Sequence, residues 1–249
     1  MNTTTVFNDY SKYYDLLYQD KDYKGEVEYI CTLFENHGLR GGRVLEFGSG
    51  TGIHGNLIAS KGYDVVGVEL SDEMVAIADQ TAGFTCSQGD MTTTKVDGNF
   101  DAVISLFHVV SYLTTDDAIN DFFRNSYEHL KDKGIFIFDV WYSPCVNANP
   151  PEIRIKKMEN SNLKIIRVAE PTVLNDKNCV DVHFTIFSKF ASETAWTKTE
   201  EVHPMRHFSS VEIRNFAEQV GFKFLASEEF GSGLAPSNDT WGVCFVFKK

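Results

Sequence analysis

Positive charge is scarce in this chain. Against 35 aspartates and glutamates stand 23 lysines and arginines, a net charge of −12, and no five cations follow one another. A nucleic-acid backbone is repelled by that balance, so nucleic acid is excluded as a partner and an acidic membrane surface with it. Paired cysteines are also missing. Cys31, Cys86, Cys145, Cys179 and Cys244 are odd in number, scattered and free of any CxxC, which excludes a disulfide framework and a structural zinc site. No HxH or HExxH occurs, so no metal site is expected. The longest apolar run lies within residues 100–110, well short of the roughly 20 that a spanning helix needs. The first residues carry neither the basic nor the apolar region of a secretion signal. Together these absences predict a reduced, soluble, cytoplasmic protein. What remains is an ordinary globular composition: 249 residues, 43% hydrophobic and 23% charged, enough for one sizeable core.

The hydrophobic periodicity divides the chain. Residues 25–38 read as an amphipathic helix. Short apolar strands follow at 43–47, 65–70, 84–87, 102–106 and 134–140, alternating with helices at 53–61, 72–80 and 118–130. That alternation predicts a doubly wound, mostly parallel α/β sheet, covered on both faces. The pattern changes after Pro144. Segments 153–158, 163–168, 179–188 and 195–202 alternate with period two, and 175–178 is a hairpin turn signal, so an antiparallel β insert is expected. Ser209 or Ser210 then caps a helix ending at Gly221, with last strands near 222–226 and 241–247. We expect a single domain: a helical lid over 1–40, a cofactor-binding core over 41–144, the insert over 145–206, and the last helix and strands over 207–249. Tyr10, Tyr13, Tyr14, Tyr18 and Tyr23 crowd the start, as a helix docked on a core or as a lid over a ligand.

The informative stretch runs from Val44 to Gly52. Glycines at Gly48, Gly50 and Gly52 follow the first strand, where the backbone must turn tightly and let a ligand approach. The third glycine comes one position too early for a dinucleotide fingerprint, leaving Ile53 in its place. A carboxylate, Glu46, precedes the loop; a pyrophosphate would avoid it, whereas a ligand carrying an ammonium and a sulfonium would accept it. Ile53 and Glu46 therefore argue against a nucleotide-dependent oxidoreductase. Glu69 ends the second strand, where a carboxylate can accept both ribose hydroxyls. Asp90 follows the third strand, placed to accept from an adenine amino group with Met91 against the ring. Each acid alone reads as a surface residue; three in order at successive strand ends read as one site.

The stretch from Glu46 to Met91 resembles the class I S-adenosylmethionine-dependent methyltransferases: an E-x-G-x-G-x-G loop at Glu46, Gly48, Gly50 and Gly52, a ribose acid at Glu69, and Gly89-Asp90-Met91. The resemblance implies seven strands with the last antiparallel, S-adenosylmethionine as cofactor, and residues 101–110, Leu106 among them, on its methionine side. A narrower resemblance, to N-methyltransferases of nucleotide-linked amino sugars, is carried by Tyr14-Asp15, Lys21-Asp22-Tyr23, Gly50-Thr51-Gly52-Ile53-His54, Val68-Glu69-Leu70-Ser71 and Trp141-Tyr142-Ser143-Pro144. It implies cofactor contacts from Tyr14, Tyr23, Ser49, His54 and Leu70, and a small-molecule acceptor. Where those enzymes carry a histidine after the fourth strand, this chain has Tyr112, and its own histidine is His108. The loop there reads Ser105-Leu106-Phe107-His108, without the proline of enzymes that methylate nucleobases or protein amides, which points to a basic amine or a hydroxyl. Tyr14, His108 and Tyr112 are the candidate catalytic residues; His108 is a base or a histidine satisfied at a strand end. Asp139 ends strand five or caps a turn. Trp141, His203 and Arg206 are the candidate acceptor contacts, Arg206 because its fork suits a diphosphate or carboxylate. Another small metabolite as acceptor, or a protein that binds the cofactor without catalysis, are the rival readings.

Overall fold

The computed structural model describes residues 11–78 and 80–249. Tyr10, part of the expected aromatic face, lies outside them, as does Asp79 near the end of an expected helix. Seven strands form the central layer: β1 (Gly42–Phe47), β2 (Tyr63–Glu69), β3 (Phe84–Gln88), β4 (Phe100–Ser105), β5 (Leu130–Tyr142), β10 (Lys223–Glu229) and β11 (Gly242–Lys248). Their order is β3-β2-β1-β4-β5-β11-β10, with β1 to β5 parallel and β11 antiparallel to β5. The order reverses between β1 and β4, which is where an open α/β sheet holds its ligand.

Period two and double burial explain β5. Phe136 and Phe138 turn to one face and Ile135 and Ile137 to the other, and all are buried. The first face packs phenylalanines against α5 (Asp116–His129) and α7 (Ser210–Val220). The second packs against α2 (Tyr23–Asn36), α3 (Ile53–Ser60) and α4 (Asp72–Ile77). Caps set the starts: Thr115, Ser71 and Asp22 accept from backbone N–H groups of α5, α4 and α2, and Ser209 makes a capping box with Glu212 in α7. The expected lid over 1–40 is therefore divided. Val27, Ile30, Leu33 and Phe34 of α2 are core, and only α1 (Ser11–Leu17) and the turn after it lie over the loop.

The insert comprises β6 (Arg154–Glu159), β7 (Leu163–Leu174), β8 (Cys179–Phe190) and β9 (Thr197–Phe208), all antiparallel, after a short α6 (Ser143–Ala148). It is not detached. Trp141 and Tyr142 at the tip of β5 pair in parallel with His207 and Phe208 of β9, so insert and core share one sheet. Strands β7 and β9 run past the expected ends at 168 and 202, through Pro171 and Pro204. Pro171 lies beyond the β6 pairing, and Pro204 before the β5 pairing, so each sits where its strand has one partner and no ladder hydrogen bond is lost. Val180, Val182, Phe184 and Ile186 share one face as expected, and Tyr13 and Leu17 of α1 dock on it beside Ile165 and Ile186. Among the described residues no helix is long and apolar enough to cross a membrane.

Candidate active site

The loop after β1 needs its glycines for different reasons. Gly48 has φ +71, and a Cβ there would overlap the Val109 side chain; Gly52, at φ +80, would meet the Phe84 ring at 2.6 Å. Gly50, at φ +56, would meet only Met74 Sδ at 3.9 Å, so its open side is a cradle a ligand can enter. Tyr14, Tyr23, Gly48, Ser49, Gly50, His54 and Leu106, all expected cofactor residues, line one cavity with Phe107 and Val109. Its volume is about 30 Å³. A small-molecule pocket usually measures roughly 300–1,000 Å³, so this cavity by itself does not enclose a nucleoside. Thr51 Oγ1 donates to Asp15 Oδ1 at 2.8 Å, tying α1 to the loop.

The acids behave individually. Glu69 accepts from the N–H of Gly50 and of Ser71, each at 2.9 Å, so the carboxylate at the end of β2 also shapes the loop. Burial pushes its pKa up and those N–H groups oppose the push. Glu46 is 1% exposed, and its Oε2 has no hydrogen-bond partner among the described residues. Burial and the Glu69 charge push it up to about 8. Asp90 turns Oδ1 into its own loop, accepting from Thr92 N at 2.8 Å and Thr92 Oγ1 at 2.6 Å. Met91 is half-buried against the phenylalanine core, and Leu70 is exposed at the end of β2.

Beside the cavity sits Lys21, which the sequence reading quoted in a motif without giving it a role. Lys21 Nζ lies 4.3 Å from the centroids of both the Tyr23 and the Phe107 rings, pairs with Glu26, and stands 3.5 Å from His54 Nε2. Glu26 also holds His54 Nε2 at 2.8 Å. Burial lowers the pKa of Lys21 and of His54, and Glu26 opposes both shifts. The Tyr23 hydroxyl is buried without a partner among the described residues.

The loop after β4 is strained: Phe107 and His108 have φ of 67° and 61°, the left-handed region that costs a side chain about 1–2 kcal/mol. Asp139 holds it there. It accepts from the His108 N–H at 3.1 Å and faces Nδ1 at 2.6 Å, while the ring leans on Gly242. Asp139 caps the turn through the His108 N–H, while Nδ1 of the ring is buried beside it without a hydrogen bond among the described residues. A 3-10 turn (Val109–Tyr112) follows and delivers Tyr112 to the insert, its hydroxyl 2.8 Å from His203 Nδ1. Trp141 packs edge-on to Trp241 at 5.8 Å, near Tyr112.

Two expected acceptor contacts are corrected. His203 is 1% exposed and uses both ring nitrogens internally, Nδ1 towards Tyr112 and Nε2 towards Glu201 Oε2 at 3.1 Å. Arg206 points to the opposite face of β9. Its guanidinium is held by Asp116 at 2.7 Å and Glu212 at 2.5 Å, over the rings of Phe208 and Phe216. It clamps the first turns of α5 and α7 instead of meeting a ligand. Arg206→Met should therefore lower stability by about 1–2 kcal/mol, since Asp116 is largely exposed. Its acceptor KM should stay within twofold; thermal melts and initial rates check the pair. A wider groove of about 400 Å³ runs along the outer face of the insert past Glu170, His183 and Glu200, and none of the expected site residues lines it.

Residues 44–134 match a methyltransferase domain family. The fold agrees over nearly the whole chain: an S-adenosylmethionine-dependent methyltransferase from Clostridium acetobutylicum superposes with a TM-score of 0.81, at 19% identity, over 97% of this chain and 99% of that one. The chain thus carries a methyltransferase domain on a fold it shares with an S-adenosylmethionine-dependent methyltransferase. A dTDP-3-amino-3,4,6-trideoxy-alpha-D-glucopyranose N,N-dimethyltransferase from Streptomyces venezuelae is 26% identical over 218 residues, 86% of either chain. The S-adenosylmethionine-bound CalS10, an amino pentose methyltransferase from Micromonospora echinaspora, has a TM-score of 0.76 at 21% identity, over 97% of both chains. The residues around the loop fit S-adenosylmethionine. Gly50 leaves an open cradle, and buried Glu46 Oε2 and the Tyr23 hydroxyl flank the loop with bonds still to make.

Proposed function

We propose that this methyltransferase methylates the amino group of a small amino sugar carried on a nucleotide. The observation that carries the reading is the seam between the cofactor loop and the insert. Tyr18 stands edge-on to Phe107 of the strained loop at 5.1 Å, and accepts from Arg167 Nη1 of β7 at 3.1 Å. The acceptor entrance thus lies between α1, the loop after β4 and the inner face of the insert. It is walled by the rings of Tyr14, Tyr18, Phe107 and Tyr112, with one guanidinium nearby in an otherwise acidic protein. The amino-sugar enzyme of Streptomyces venezuelae, aligned over 86% of either chain, supports the same reading.

In this reading residues 41–144 hold the cofactor and residues 145–206 wall the acceptor. Gly48, Ser49, Gly50, Glu46, Tyr14, Tyr23, His54 and Leu106 take the methionine half, Glu69 and Leu70 the ribose, and Asp90 and Met91 the adenine. When bound, S-adenosylmethionine supplies a methyl group already activated by its sulfonium. The protein then has to align an amine roughly 3 Å from that carbon, exclude water, and receive a proton. An alkylammonium like that of lysine has a pKa of about 10.4, so the amine needs an outlet for its proton near neutrality. Tyr112 presents a hydroxyl at the seam for that purpose.

The test is direct. Purified protein with S-adenosylmethionine and a panel of dTDP-linked amino sugars should yield mono- or dimethylated amines by mass spectrometry, and nothing from the matching sugars that carry hydroxyl in place of the amine. Methylation of the hydroxyl sugars alone, or of free glycine alone, overturns the reading. Glu69→Ala should weaken S-adenosylhomocysteine binding by about 1.5–3 kcal/mol, the scale of a charge-assisted hydrogen bond left unmade, as read by calorimetry.

A further inference from the structure

A buried cation at the cavity has no task in holding cofactor or acceptor. Lys21 lies in the turn between α1 and α2, and its side chain is 11% exposed. Its ammonium faces two rings at once, 4.3 Å from the centroid of Tyr23 and 4.3 Å from that of Phe107. Tyr23 comes from the start of α2 and Phe107 from the strained loop after β4, so the ammonium bridges two elements far apart in the chain. His54 Nε2 is 3.5 Å away, and the His54 ring meets Tyr23 edge-on at 5.0 Å. Tyr23, His54 and Phe107 all line the cavity at the glycine loop. The ammonium thus fills the space between three walls of that cavity, and only about 30 Å³ is left beside it.

Two ring faces brought together in this way make a seat for a cation. They attract positive charge, and the attraction grows as water is excluded. Lys21 is held there reversibly. Burial disfavours its charged form, and the Glu26 carboxylate opposes that push. Glu26 pairs with both Lys21 and His54 and is itself 20% exposed. The flexible lysine stem can therefore carry the ammonium out to water while His54 keeps the carboxylate. A methyl donor brings a cation of its own, the sulfonium of S-adenosylmethionine. The spent product, S-adenosylhomocysteine, has a neutral sulfur in the same position.

We propose that the seat between Tyr23 and Phe107 belongs to the sulfonium, and that Lys21 fills it as a stand-in cation in the ligand-free protein. This rests on the reading that the glycine loop beside Tyr23 holds the cofactor. Binding of the donor exchanges one cation for another, so the rings lose little. Binding of the product expels the ammonium and returns no charge to the rings. Lys21 and the two rings together favour the charged donor over the neutral product.

The experiment uses the full chain with two readouts. In protein carrying 13C-labelled lysine, the Cε protons of Lys21 should be shifted upfield by the two rings, their signals assigned by their loss in Lys21→Ala. Saturation with S-adenosylmethionine should return them to the ordinary lysine position. Calorimetry then compares S-adenosylmethionine with S-adenosylhomocysteine. Lys21→Ala should lower both Kd values together, by about threefold or more, because neither ligand then has a cation to displace. Phe107→Leu should narrow the preference for the donor by about threefold to thirtyfold, since one ring of the seat is gone. Thermal melts show that both variants are folded. Lys21 signals that stay upfield in the saturated protein, an unchanged or higher Kd in Lys21→Ala, or an unchanged donor preference in Phe107→Leu overturns the stand-in. Failure of the loop reading looks different: Gly50→Leu then binds S-adenosylmethionine as tightly as the wild type. If only the stand-in is wrong, Gly50→Leu loses the cofactor while Lys21 in the wild type stays between its rings at saturation.

Discussion

Replacing Gly50 with leucine should abolish cofactor binding, raising the Kd for S-adenosylhomocysteine by about a hundredfold or more, in a protein that still folds. A Cβ at Gly50 meets only Met74 Sδ, at 3.9 Å, so the side chain has space in the protein and takes it from the cradle. The φ of +56 adds strain of about 1–2 kcal/mol, a tolerable loss for a domain of this size. Gly48 and Gly52 provide the contrast. At those positions a Cβ runs into Val109 or into the Phe84 ring, so substitution there should damage the fold together with the site. Calorimetry and a thermal melt on the same sample separate the two. Retained affinity in Gly50→Leu would mean that the loop does not hold the cofactor.

The central sheet was legible because its signal is strong and local. Apolar runs such as 135–138 and the capped helices between them admit one architecture, and the glycine loop with Glu46 and Glu69 falls at the switch point that architecture creates. The insert was legible in kind but not in extent. The expected strands stopped at 168 and 202, whereas β7 and β9 run on through Pro171 and Pro204, which both sit where the ladder has one side only. Ending β9 early hid its parity. Had the strand been carried through Pro204, the odd number of His203 and the even number of Arg206 would have put them on opposite faces, one towards Tyr112 and the other towards Asp116 and Glu212.

Some contacts leave no mark in the sequence even where their residues were named. The Asp139 clamp on His108 joins strand β5 to the loop after β4, and the consecutive left-handed residues Phe107 and His108 carry no glycine to announce the turn. Lys21 entered the sequence reading only as part of the Lys21-Asp22-Tyr23 motif, and its place between two rings and against Glu26 comes from the fold. These contacts are made between segments far apart in the chain, and only their convergence on the cavity gives them meaning.

Glu46→Gln should stabilise the ligand-free protein at alkaline pH and remove a proton release that accompanies cofactor binding. Glu46 is buried with an unpartnered oxygen, and burial together with Glu69 pushes it up to about 8 from an ordinary 4.5. The folded state therefore binds this proton more tightly than the unfolded state. The stability this gives is fully present below about pH 4.5 and is lost as pH rises through the folded value near 8. Each tenfold difference in proton affinity is worth about 1.4 kcal/mol, so the loss above pH 8 is on the order of a few kcal/mol. Glutamine keeps the shape and cannot ionise. The melting temperature of the wild type should fall between about pH 6 and pH 9 more steeply than that of Glu46→Gln, with the two close together near pH 5. In the proposed binding mode the ammonium and sulfonium of the cofactor come to the loop beside this carboxyl, which would favour its ionised form and expel the proton. Calorimetry near pH 7 in buffers of different ionisation enthalpy should then show protons released on binding by the wild type, and none from this site in the variant. Equal pH dependence of stability in both proteins would show that Glu46 is ionised throughout. Equal proton release would show that the positive charge of the cofactor is met elsewhere.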